Sequence, residues 1–221
     1  MCIRDNARGA GEGGEEVTDW LGQNGEDRII AEWLAAHRPG LVGRVLDLGA
    51  HDGHTFSNTG KLLDAGWGGT LVECSPKPLG ALLDRYGERD DIRVVGACVE
   101  VTEPHVGLTM LSDSNGDCVS TTTERNRRVW GQFVKFRRLF VPVLSIDRLI
   151  YACPGPYHVL SIDLEGQSVD VFRALRIAQW TELAVCVVEF DDKRDAALEH
   201  AANAGFRLHA ENGENVILVR P

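Results

Sequence analysis

Gly49 and Gly53 stand directly after the apolar run 44–48, in the order Val45-Leu46-Asp47-Leu48-Gly49-Ala50-His51-Asp52-Gly53. Glu73 follows twenty residues beyond the second glycine. Glycines so placed permit a tight turn and a close approach of backbone to a ligand. A carboxylate at that distance, ending the next apolar run, has the place and the chemistry to accept both hydroxyls of a ribose. Together these residues predict an adenosine-containing cofactor. A dinucleotide fingerprint would need glycine at position 51, where backbone meets a pyrophosphate, and a small residue at position 54; the chain has His51 and His54. S-Adenosylmethionine carries ribose and adenine but no phosphate, so its loop tolerates side chains there. An acidic residue such as Asp47 can then orient the loop and hold the methionine ammonium. Gly49, His51, Gly53 and Glu73 are the expected cofactor contacts. Asp47 either joins them or holds the loop amides from behind, and Glu73 has the alternative of capping the next helix.

A second group of acids stands further along the chain. Asp163 ends the apolar run 158–162 within Ser161-Ile162-Asp163-Leu164-Glu165-Gly166, and Glu189, Asp191 and Asp192 crowd the end of the run 183–190. Methyl transfer is an in-line displacement that needs an aligned nucleophilic oxygen and a base to take its proton. Asp163 is the first candidate for that chemistry and Glu165 the next; the competing role for Asp163 is to cap the helix behind it. Hard oxygen ligands from two neighbouring strand ends would also make a Mg²⁺ site. Acidic residues at strand ends are common, however, so no residue is assigned as a metal ligand. His51 titrates near neutral pH and could serve as base, but its place in the loop favours cofactor contact.

The elements that must position these residues are legible as an alternation. Apolar runs at 44–48, 70–73, 92–99, 158–162 and 183–190 read as buried strands, and 58–65, 78–86, 168–178 and 194–204 carry helix-compatible patterns. The β-α order predicts a doubly wound, mostly parallel α/β sheet of Rossmann-like type. An amphipathic helix is expected over 26–37, stopped by Pro39-Gly40. The runs 206–210 and 215–220, joined by Glu211-Asn212-Gly213-Glu214, predict a closing antiparallel hairpin. Residues 1–16, with Gly9, Gly11, Gly13 and Gly14 and no apolar periodicity, read as a flexible tail. Residues 17–221 read as one domain with a lid-like insertion near 102–147. Its polar part holds Ser114-Asn115-Gly116 and Ser120-Thr121-Thr122-Thr123, and beyond it lie Arg125, Arg127, Arg128, Lys135, Arg137 and Arg138. These basic residues read either as a solvated face or as a sign of an anionic acceptor.

Composition narrows the function classes. The chain has 221 residues, 43% of them hydrophobic, and a formal net charge of −10. That apolar content suits a folded globular domain, and the acidic balance opposes tight binding to nucleic acid, which depends on Lys and Arg. No apolar run approaches a membrane span and no leader pattern opens the sequence, so a soluble, cytoplasmic protein is expected. Cys2, Cys74, Cys98, Cys118, Cys153 and Cys186 lack the close spacing of zinc or redox motifs. They read as small core hydrophobes. No heptad pattern marks an oligomer surface.

Several separate segments resemble the FkbM family of methyltransferases: the run 45–53, Thr55-Phe56-Ser57-Asn58-Thr59, the Gly66-Trp67-x-Gly69 turn before Glu73, the segment 161–166, and upstream Gln23-Asn24-Gly25-Glu26-Asp27. The resemblance spans roughly residues 20–220. It implies a class I S-adenosylmethionine-dependent fold with a seven-stranded sheet, and O-methylation of a hydroxyl on a small natural product or sugar. It also implies that Ser57, Asn58, Cys74, Ala97, Cys98 and Asp163 join the cofactor-binding set, Ala97 and Cys98 by packing on adenine, and that Gln23 and Asp27 reach its methionine end. Cys74 departs from the pattern, since Glu-Pro-x-Pro is expected where the chain has Glu73-Cys74-Ser75-Pro76. The competing functions are a nicotinamide-dependent oxidoreductase and a non-catalytic binding protein on the same fold.

Overall fold

Strands form on the short apolar runs, and helices fill the intervals between them. The structure, a computed structural model, describes residues 20–102, 107–113 and 119–221. The tail expected over 1–16, Cys2, Cys118 and the Ser114-Asn115-Gly116 turn lie outside the described residues.

In chain order the strands are β1 (Arg44–Leu48), β2 (Gly68–Val72), β3 (Ile92–Val95), β4 (Cys98–Glu100), β5 (Gly107–Asp113), β6 (Phe136–Ser145), β7 (Val159–Ile162), β8 (Val185–Glu189), β9 (Arg207–Glu211) and β10 (Asn215–Val219). The helices are α1 (Glu26–His37), α2 (Gly60–Asp64), α3 (Pro76–Tyr86), α4 (Glu124–Trp130), α5 (Ile146–Ala152), α6 (Ser168–Ala174) and α7 (Arg194–Asn203). The main sheet has seven strands in the order β3-β2-β1-β7-β8-β10-β9. β10 runs antiparallel to both neighbours, and the other pairs are parallel. That strand order, with the last-made strand inserted antiparallel, is the class I methyltransferase fold.

Alternation along the buried strands sorts their side chains onto two faces. Leu46, Leu48, Cys186 and Val188 pack with Leu149 of α5, Phe172 of α6 and Ala197 of α7. Val45, Val185 and Val187 pack on the other face with Ile30 and Trp33 of α1, Leu63 of α2 and Leu82 of α3. α1 starts as expected: Gly25 at its N-cap takes φ 80°, and Glu26 and Asp27 occupy the first turn, where carboxylates complement the helix dipole. Among the described residues no helix is long and apolar enough to cross a membrane.

Two expectations change, and the insertion takes regular structure. The run 92–99 is not one strand: β3 ends at Val95, and after Gly96 and Ala97 the chain enters β4, which pairs with β6 in a separate three-stranded sheet of order β4-β6-β5. Gly96 sits against Leu79, where a Cβ would come within 2.8 Å of a methyl, so the break lies where the chain passes over α3. The segment 102–147 holds β5, α4 and β6, and α5 begins at its end. β6 carries Pro142 at the point where its ladder to β5 ends and its ladder to β4 begins, a place where a missing N–H is tolerated. The helix expected over 168–178 stops at Ala174; Leu175 is extended at ψ 133°, and a 3-10 turn, Ile177–Gln179, follows.

Candidate active site

Strand order reverses between β1 and β7, and a cleft opens there at their carboxyl ends, as expected for open α/β sheets. Gly49 marks the crossing. Its φ is +86°, and a Cβ would lie 1.8 Å from the Asp163 carbonyl oxygen, so no side chain fits between the loop after β1 and the chain leaving β7. The Gly49 and Ala50 amides both donate to the Val72 carbonyl at 2.9 Å, folding the loop over the end of β2.

Glu73 holds this loop in place. Its Oε2 accepts the His51 amide at 3.0 Å and its Oε1 accepts the Ser75 amide at 2.6 Å. Because Ser75 is the N-cap of α3, the helix-end role weighed for Glu73 is realised together with the loop role. The Ser75 hydroxyl also bonds this carboxylate, which lines the cleft. Burial raises its pKa above the ordinary carboxylate value, although the two amides and His51 oppose the shift.

Asp47 is buried behind the loop. Its Oδ2 accepts the Thr59 hydroxyl at 2.6 Å, at the N-cap of α2. Burial pushes its pKa up to about 6, against the Thr59 and Ser161 hydroxyls and with the help of the Asp163 and Glu73 charges. Ser57 Oγ accepts the Gly60 amide at 2.9 Å, and Asn58 reaches Ser161 Oγ at 3.4 Å, tying the α2 entry to β7.

Of the residues expected from sequence, Asp47, Gly49, His51, Ser57, Asn58, Glu73, Cys74, Ala97, Cys98, Asp163 and Glu165 line the cleft. Gly53 does not. Its φ is +71° and its Cα packs on α3, where a Cβ would meet the Tyr86 ring at 2.5 Å, so its requirement comes from loop packing. Ala97 and Cys98, with Val99 and Met110, form an apolar wall, and Cys74 Sγ lies 3.3 Å from Met110 Sδ. Gln23 lines the cleft, brought there by the bridge between Gly22 and Phe56. Asp27 instead accepts the Leu21 amide at 2.6 Å and shapes the entry to α1.

Asp163 follows β7 with its amide on the Leu48 carbonyl at 2.9 Å. It does not cap α6: the N-cap is Gln167, and Ser168 Oγ accepts the Leu164 amide at 2.8 Å. Ser168 also donates to Glu189 Oε2 at 3.1 Å. Burial drives Glu189 well above the usual carboxylate range, reinforced by the charges of Asp163, Glu165 and Asp191. Asp191 and Asp192 turn away to Arg125 of α4, at 3.7 and 3.2 Å.

The insertion docks on the turn after Asp163. Thr121 Oγ1 donates to the Glu165 carbonyl at 2.8 Å, Asn126 Nδ2 donates to Glu165 Oε2 at 3.3 Å, and Gln167 Nε2 donates to Thr122 Oγ1 at 3.4 Å. Ser120, Thr122 and Gln167 thereby enter the cleft wall, along with Thr55 and Phe56. Ser120 and Thr122 belong to the Ser-Thr run expected in the lid-like insertion, whereas nothing in the sequence singles out Gln167. Arg127 pairs with Glu124, and no lysine or arginine lines the cleft among the described residues.

No protein-family model matches the chain, and no curated protein matches it. Solved structures do. Methyltransferase FkbM from Methylobacillus flagellatus KT is 16% identical with a TM-score of 0.45, covering 82% of this chain and 45% of that one. The chain thus spans less than half the length of that relative. CalS10, an amino pentose methyltransferase from Micromonospora echinaspora, is 12% identical with a TM-score of 0.45, covering 89% and 90%. Precorrin-6y C5,15-methyltransferase from Geobacter metallireducens GS-15 is 14% identical with a TM-score of 0.44, covering 86% of each chain.

Proposed function

We propose that this chain is an S-adenosylmethionine-dependent methyltransferase that O-methylates a hydroxyl of a small natural product or sugar. The observation that carries this reading is the charge of the cleft. Glu73, Asp47 and Asp163 line it, and among the described lining residues no lysine or arginine is available to meet a phosphate. A dinucleotide would bring a pyrophosphate into that acidic cleft, and the N-terminus of α2 is already taken up by Ser57. A sulfonium and an ammonium suit it instead.

The residues fit such a cofactor by chemistry. Glu73 presents a carboxylate to the cleft that suits a ribose hydroxyl, the wall of Ala97, Cys98, Val99 and Met110 suits a flat apolar base, and Asp47 offers a carboxylate to an ammonium. The cofactor supplies an electrophilic methyl group. Asp163, at the mouth between β1 and β7, is placed to accept the proton of an acceptor hydroxyl, and Glu165 is the alternative base. The docked insertion contributes Ser120 and Thr122 to the wall of the same cleft. The six basic residues of 125–138 stay outside the cleft lining, so an anionic acceptor has no support from the cleft itself.

The test is calorimetric titration with S-adenosylhomocysteine, with Glu73→Ala and NADH as controls. Micromolar binding by the chain is expected, weakened at least tenfold in Glu73→Ala, about 1.4 kcal/mol. Binding of NADH but not S-adenosylhomocysteine would replace this reading with the oxidoreductase. Cofactor binding with no methyl transfer to any hydroxylated acceptor would favour a non-catalytic role.

A further inference from the structure

Behind Asp163 the cleft continues into a smaller cavity of about 20 Å³, lined by Asp163, Glu189, Asn215, Glu26, Asn58 and others. That is room for about one water-sized occupant. Carboxylate oxygens of Asp163, Glu165 and Glu189 lie within 4.8 Å of one another, Asp163 and Glu189 lining this cavity and Asp163 and Glu165 the cleft. Oxygens bound to one divalent ion at roughly 2.0–2.6 Å each fall within such separations. Glu165 and Glu189 are only 7% and 6% exposed, and among the described residues no lysine or arginine pairs with Asp163 or Glu189.

Three close carboxylates can be relieved by shared protons or by a cation, and Asn215 distinguishes the two. It stands directly opposite Glu189 in the β8–β10 register and is 7% exposed. Its Nδ2 donates to Glu26 Oε1 at 3.0 Å, which fixes the orientation of the carboxamide, because the opposite orientation would set oxygen against a carboxylate. Its Oδ1 is then a buried carbonyl oxygen without a hydrogen-bond partner. Shared protons by themselves give that oxygen no partner. A cation in the cavity satisfies it.

We propose that Asp163, Glu165 and Glu189, with the Asn215 carboxamide oxygen beside them, form a binding site for one divalent cation of the oxygen-preferring class, Mg²⁺ or Mn²⁺. The site stands on the three carboxylates and the Asn215 oxygen and does not depend on the methyl-transfer reading. Its use, to hold an acceptor hydroxyl and ease its deprotonation, rests on the methyl-transfer reading.

The experiment is a titration of the full chain with Mn²⁺, following the free ion by its electron paramagnetic resonance signal, with Mg²⁺ as competitor. One Mn²⁺ per chain is expected, displaced by Mg²⁺ and bound at least tenfold more weakly by Glu189→Gln and by Asn215→Ala. Circular dichroism checks both variants; should Glu189→Gln fail to fold, Asn215→Ala, which removes a neutral side chain, decides. Absence of saturable Mn²⁺ binding by the unsubstituted chain, or equal binding by the folded variants, overturns the site. A parallel S-adenosylhomocysteine titration separates the two ideas, since a chain that binds Mn²⁺ but not the cofactor keeps the cation site and loses the methyltransferase.

Discussion

Asp47 couples the pH response of the fold to that of the cleft. With its folded pKa pushed up to about 6 from an ordinary value near 3.8, the folded state favours the protonated carboxyl. Its stabilising contribution is therefore complete below about pH 4 and is lost as pH rises through 6, a span of about 3 kcal/mol. Melting temperatures of the wild type and Asp47→Asn should diverge across that window, the wild type falling further. Parallel curves would remove Asp47 from the account. If the carboxylate holds a ligand ammonium, S-adenosylhomocysteine affinity should rise over the same range and stay flat in the variant. At this scale much was legible: Asp47, Gly49 and Glu73 announce themselves by spacing after apolar runs. Asn215 did not, because its partner is set by the β8–β10 register, and among Glu189, Asp191 and Asp192 nothing in the sequence tells which acid turns inward.

At the scale of elements, the cleft depends on two crossings. The first is the loop after β1 over the turn after β7, where Gly49→Ala would drive a methyl into the Asp163 carbonyl. We expect a loss of about 3 kcal/mol or more in urea unfolding. Gly66→Ala, at a similar φ of +90° but in open space, should cost only about 1–2 kcal/mol. Equal losses would show that backbone conformation, not the close approach, governs Gly49. The second crossing is the insertion, held to the core by the Thr121 and Asn126 bonds to Glu165 and by Arg125 on Asp191 and Asp192. Arg125→Ala should leave unfolding within about 0.5 kcal/mol, since the pair is half-exposed, yet speed proteolytic cleavage near α4. An unchanged cleavage rate would mean that the threonine and asparagine bonds suffice. The parallel strands and α1 could be read from apolar runs and caps. β6 could not, because a half-exposed strand carrying Arg137 and Arg138 imitates a solvated helix face, and the break before β4 at Gly96 answers to Leu79, a neighbour that only the fold supplies.

Over the whole molecule, the sheet gathers residues from distant parts of the chain at one end. β10 runs opposite to its neighbours, so its first residue, Asn215, arrives at the same edge as the last residue of β8, Glu189. The alternation of elements made the doubly wound sheet legible, and the hairpin signal placed the antiparallel pair; that this pair would complete a polar cavity required knowing where α1 lies. Glu26, the first residue of that helix and fully buried, receives Asn24, Asn212 and Asn215 on its carboxylate. Unlike Asp163 and Glu189, it is already held by these three asparagines. It fixes the sign of the cavity wall: while Glu26 is an acceptor, Asn215 must turn its oxygen inward and the wall is electronegative. Glu26→Gln, which also offers donors, frees that amide to invert, and the cavity should then lose preference for Mn²⁺ without losing a single ligand carboxylate. The polarity of the site is thus written by a carboxylate in the same cavity wall, through the way it turns Asn215.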